Sequence, residues 1–99
     1  MNASELRSTL DEIRSLSLRM ASIPEDQRIV AFRAVDSLFL RLEGYLGNHP
    51  QPGVSELLDE VKMHAIALAR LEETAEEPDS YYCGRIASLV EEMGAVLCR

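Results

Sequence analysis

The stretch YCGRIASLVEEMGAVL, residues 82–97, puts apolar side chains at Tyr82, Ile86, Leu89, Val90, Met93, Val96 and Leu97. At about 100° per residue these fall on one side of a helix, and Arg85, Glu91 and Glu92 fall off it. The spacing predicts a helix over residues 80–98, with Asp79 or Ser80 as its N-cap.

Read outward from this stretch, the same three-to-four residue spacing recurs three times. Leu57, Leu58, Val61, Ala65, Leu68 and Leu71 predict a helix over about 54–75. Phe32, Val35, Leu38, Phe39, Leu42 and Leu46 predict one over 23–46, and Leu6, Leu10, Ile13, Leu16, Met20 and Ile23 another over 3–21. The breaks between them carry their own chemistry. Ser22-Ile23-Pro24-Glu25 has the form of a capping box with proline in the first turn. Gly47 suits a left-handed C-terminal cap, and the prolines in GNHPQPG, residues 47–53, cannot continue a helix. Glu76-Glu77-Pro78-Asp79-Ser80 makes the last turn.

Four amphipathic helices with short connections pack most economically as an antiparallel up-and-down four-helix bundle, one all-α domain over residues 1–99. Two helical hairpins in a packed or swapped dimer would use the same stripes. Ser4-Glu5-Leu6 recurs as Ser55-Glu56-Leu57, but the offset between the halves drifts, as two amphipathic helices will by periodicity alone.

Ninety-nine residues allow one hydrophobic core, and 46% hydrophobic with 27% charged residues is an ordinary globular balance. The net charge of −7 repels phosphates and anionic lipid, so neither direct nucleic-acid binding nor a membrane surface is expected. No apolar run approaches the ~20 residues of a membrane span, and the polar opening MNASELRSTLDE lacks the apolar core of a secretory signal. Cys83 and Cys98 lie fifteen residues apart on one predicted helix, about 22 Å, too far to bridge. A cytoplasmic location is the expectation.

No glycine-rich phosphate loop, nucleophile elbow or Ser/His/Asp arrangement is present, so neither catalysis nor a cofactor is expected. Leu6–Ile13 with Arg14 and Arg19 resembles the opening helix of the all-helical chorismate mutases, over about a fifth of the chain. The resemblance implies arginines clamping a dicarboxylate. Pro24 stops this helix where the family's continues, and the pocket's later lysine and glutamate have no counterpart, Lys62 being the only lysine. His64 falls inside the apolar stripe of the third helix. It reads as a core histidine, or with Glu60 one turn earlier as the centre of a small-molecule or metal-binding bundle.

The surface carries the preferred functional reading. Residues 1–50 hold six basic and seven acidic side chains; residues 51–99 hold four and ten. Glu72, Glu73, Glu76, Glu77 and Asp79 crowd one turn, which is either a solubilising loop or a surface that steers a basic partner. Ile29 and Leu40, eleven residues apart, form an apolar line on the polar side of the second helix, suited to a partner groove or a homodimer. The expectation is a small acidic protein-binding module of the inhibitor, immunity-protein, chaperone or adaptor kind, with a basic-surfaced partner.

Overall fold

Asn2 opens the first helix, its side-chain oxygen accepting from the backbone N–H of Glu5 at 2.8 Å and satisfying one free donor of the first turn. In the computed structural model, which describes residues 1–73 and 75–98, this helix, α1, runs Ala3–Met20. It is followed by α2 (Arg28–Asn48), α3 (Val54–Leu68) and α4 (Asp79–Leu97), with a 3-10 turn at Glu25–Gln27.

Short connections make consecutive helices antiparallel. α1 packs on α2, α2 on α3 and α3 on α4, and α4 closes back on α1, while the diagonal pairs barely meet. This is the up-and-down four-helix bundle expected from the stripes. The α3–α4 seam is the most extensive and the α2–α3 seam the least. The molecule measures 36 × 21 × 18 Å, its long axis set by helices of up to 21 residues, about 31 Å at 1.5 Å per residue.

The stripes meet along the axis. Leu10, Ile13 and Met20 of α1, Phe39 and Leu42 of α2, Leu58 and Leu68 of α3, and Ile86 and Met93 of α4 are all but sealed from solvent. Leu16, Phe32, Leu57, Val96 and Leu97 border this core half-buried, and Ile23, expected in the stripe of α1, is half-buried in the α1–α2 connection.

Several boundaries differ from the pattern-based expectation. The capping box does not form: the Ser22 hydroxyl donates back to the Arg19 carbonyl at 2.8 Å, finishing α1, and Pro24 stands extended, so α2 begins only at Arg28. α2 passes through Gly47 to Asn48, and the left-handed residue is Gly53 (φ 85°), at the entry to α3. Pro78 occupies the cap position of α4, which starts at Asp79.

The largest correction concerns α3, which stops at Leu68 and not near residue 75. Arg70 turns left-handed (φ 59°), its N–H bonds the Ala67 carbonyl at 3.0 Å, and the Leu71 N–H reaches back to Ile66 at 3.3 Å. Those two bonds make a Schellman closure, with arginine where glycine normally sits. Leu71, expected in the core, is therefore carried out of the helix and stands 42% exposed.

Candidate protein-binding surface

Arg28 begins α2 at a position continuous with its apolar stripe, four residues before Phe32, and is only 4% exposed. A guanidinium there needs a partner for each N–H. Nε donates to the Ile23 carbonyl (2.9 Å), Nη1 to the Leu68 carbonyl (2.7 Å), and Nη2 to the Ala21 carbonyl (3.4 Å). The remaining donors grip Asp79 bidentately, Nη1 to Oδ1 at 3.0 Å and Nη2 to Oδ2 at 2.9 Å. All five donors are satisfied. One side chain thus ties the end of α1, the α1–α2 connection, the end of α3 and the start of α4.

Arg70, held left-handed by the closure of α3, completes the cluster from the other side. Its Nη2 donates to Asp79 Oδ1 (2.9 Å) and to the Glu77 carbonyl (3.1 Å). Its Nε, buried without a hydrogen-bond partner among the described residues, lies 3.9 Å from Glu25 Oε1, and its guanidinium carbon sits 5.6 Å from the centre of the Tyr82 ring. The hydrogen bonds from Arg28 foremost, then those from Arg70, hold the Asp79 carboxyl below the usual carboxylate range.

This cluster joins two connections that lie far apart in sequence. Glu25 and Asp26 from the first and Glu72, Glu73, Glu76 and Glu77 from the second all stand exposed, and Arg70 links the two connections, 3.9 Å from Glu25 and 3.1 Å from the Glu77 carbonyl. Residues 21–30 and 69–82 together hold seven acidic and two basic side chains, and with Arg19 in the last turn of α1 this one end carries −4 of the chain's −7. Asp79 is the exception among the acidic residues of the turn, since its carboxylate is taken up by the two arginines.

Apolar side chains stand among these charges. Ile29 (42%), Val30 (71%), Leu71 (42%) and Tyr81 (44%) are exposed at the same end. Leu40 is 60% exposed, but eleven residues along α2 put it about 16 Å from Ile29, well outside the acidic end. It lies on the flank of α2 marked by Glu43, which pairs with Lys62 of α3. The line from Ile29 to Leu40 therefore divides, and only Ile29 belongs with the charge.

His64 is half-buried on the flank of α3 that meets α4, with ring centres of Tyr81 and Tyr82 both 6.0 Å away. Glu60, its expected companion, instead faces Arg85 at 3.5 Å. Burial foremost, then the Arg85 charge, lowers the His64 pKa, with Glu60 opposing. Cys83 is half-buried, which pushes its thiol pKa up, and His49 stacks on Tyr45 at the opposite end of the bundle. Among the described residues no three His, Cys, Asp or Glu side chains are grouped to hold a metal ion, and no helix is long and apolar enough to cross a membrane.

The residues that sequence reasoning passed over are Arg28, Arg70, Glu25, Asp26 and Val30. Arg28 had a readable signal, a charge standing in register with an apolar stripe. Glu25 and Asp26 had none, because nothing local says that their connection abuts the acidic turn. The chain matches no protein-family model, no curated protein and no solved structure.

Proposed function

We propose that this protein is a cytoplasmic binding module that acts by contact with a basic-surfaced partner protein through its acidic end, in the manner of an inhibitor, immunity protein, chaperone or adaptor. The observation that carries the reading is the joining of two connections. Six exposed carboxylates, with Ile29, Val30, Leu71 and Tyr81 exposed among them, stand on a platform pinned by Arg28, Asp79 and Arg70. Apolar anchors in a field with an excess of negative charge supply both elements that recognition needs: area to desolvate, and a field that steers encounter. The function needs no catalytic step. Two unpaired cysteines support a reducing compartment.

The test is capture from a lysate of the source organism on immobilised protein, followed by kinetics with the purified partner. Glu25, Asp26, Glu72, Glu73, Glu76 and Glu77 are changed together to their amides in a parallel bait. A basic partner should associate at least about tenfold more slowly when ionic strength rises from 10 to 150 mM, which shortens the screening length from about 30 to 8 Å. The amide variant should lose most of that salt dependence. A partner held equally by both baits at every salt concentration overturns the reading.

A further inference from the structure

A groove of about 580 Å³ opens beside the α1–α2 connection, lined by Ile23, Asp26, Gln27, Val30 and Ala31. Ile23 and Ala31 are half-buried, and Val30, at 71% exposure, is the most exposed large apolar residue of the chain among those described. A single exposed apolar side chain needs no explanation. Here it borders a groove whose remaining walls are apolar at Ile23 and Ala31, acidic at Asp26 and polar at Gln27.

Charge surrounds the groove on the side of the bundle end. Asp26 and its neighbour Glu25 are exposed, and the Arg70 guanidinium spans the gap from Glu25 (3.9 Å) to the backbone of Glu77 (3.1 Å). The backbone of Glu77, in the second connection, therefore lies about one guanidinium's width beyond Glu25. Arg28 and Arg70 are already engaged by Asp79, which leaves Arg19, in the last turn of α1, and Arg33, one turn beyond Val30, as the exposed cations nearest the groove in sequence.

Resting on the reading of this end as a protein-binding surface, we infer that the groove is the seat of a short cationic amphipathic helix in the partner. One aliphatic side chain enters between Ile23, Val30 and Ala31. Lysines or arginines one turn away on the same helix lie over Asp26, Glu25 and the glutamates of the turn. A second copy of this chain does not fit, because it would bring its own acidic end against this one. Nucleic acid is repelled by the same charge. An extended strand finds no sheet edge to join, since the bundle has only helices to offer among its described residues.

The probe is a synthetic peptide of about 18 residues, five helical turns, built from leucine, lysine and one tryptophan with its apolar residues on one face. A control peptide has the same composition with the leucines spread around the helix. The protein contains no tryptophan, so the peptide's emission reports its own burial. The full-length chain should bind the amphipathic peptide at micromolar concentrations with a blue-shifted emission, and bind the control at least tenfold more weakly. Val30→Gln, at an exposed site that does not endanger the fold, should weaken the amphipathic peptide at least tenfold, and Leu40→Gln should leave it unchanged. Equal binding of both peptides, with Val30→Gln without effect, overturns the groove and leaves the broader charge-based reading standing. An equal loss in Leu40→Gln overturns the location. Failure of both peptides to bind at 50 mM salt overturns the inference and the reading beneath it together.

Discussion

Replacing Arg28 with methionine keeps the length of the buried stem and removes five hydrogen-bond donors at once. The cost follows from what those donors leave behind. Breaking a buried ion pair by deleting one partner costs about 3 to 5 kcal/mol, because the other charge stays desolvated. Asp79 is 31% exposed and keeps Arg70 at 2.9 Å, so water and that arginine relieve part of its loss. The Leu68 carbonyl, which accepts at 2.7 Å in a buried setting, has no such relief. The methionine side chain fills most of the space, so little cavity cost is added. The expected loss lies at the lower bound, about 3 kcal/mol, out of a total of about 5 to 15 for a domain of this size. Urea unfolding followed by far-UV circular dichroism would show it as a midpoint lower by about 1.5 M for an m-value near 2 kcal/mol/M. On heating, the same loss lowers the Tm by about 12 to 24 °C. Arg28→Lys, which can keep the charge but not the fork, should recover less than half. A loss below about 1 kcal/mol for Arg28→Met would refute the assignment of Arg28 as the tie between the two connections.

Three further expectations follow from the same geometry. Asp79 has a folded-state pKa below its unfolded value of about 3.9, so its stabilising contribution is complete above that value and is lost as pH falls toward the folded one. Asp79→Asn should therefore be less stable at pH 7 and lose less than wild type between pH 5 and 3; parallel acid titrations by circular dichroism contradict this if both proteins lose equally. His64 has its pKa lowered from about 6.5, so the unfolded chain takes up its proton first and stability falls as pH drops below about 6.5. Urea midpoints at pH 7.5 and 5.5 should differ less in His64→Gln than in wild type, and an identical pH response in the two would count against it. Ser17 Oγ is sealed in the core without a hydrogen-bond partner among the described residues. Ser17→Ala removes that unmet hydroxyl and raises helix propensity, so it should stabilise by about 1 kcal/mol, and any measured loss of stability would speak against an unpaired hydroxyl.

The helices were legible in the sequence because an apolar stripe is a local property, visible in any window of a dozen residues. Their ends were less so. The stripe of α3 continues past Leu68 to Leu71, and only the left-handed turn at Arg70, stabilised by Glu77 and Asp79 from the far side of the connection, tells the helix to stop. A glycine at that position would have announced it; an arginine does not. Ser22 and Glu25 have the spacing of a capping box, yet the Arg19 carbonyl accepts the Ser22 hydroxyl instead and Pro24 stands extended between them. The acidic turn was legible as composition. Its union with Glu25 and Asp26 depends on Arg28 meeting partners 40 and 51 residues away, and no periodicity encodes that.

The Arg28–Asp79 pair spans 51 residues, more than half the chain. A contact that closes so long a loop is expected late in folding, after α1 with α2 and α3 with α4 have formed their own local pairings, which a folding limb unchanged in Arg28→Met would show. Interactions absent from the transition state leave the folding rate alone and govern how slowly the native state comes apart. The arginine fork is thus a brake on unfolding: at about 3 kcal/mol it lengthens the native lifetime roughly a hundredfold, and it does so at the end of the molecule that a partner would grasp.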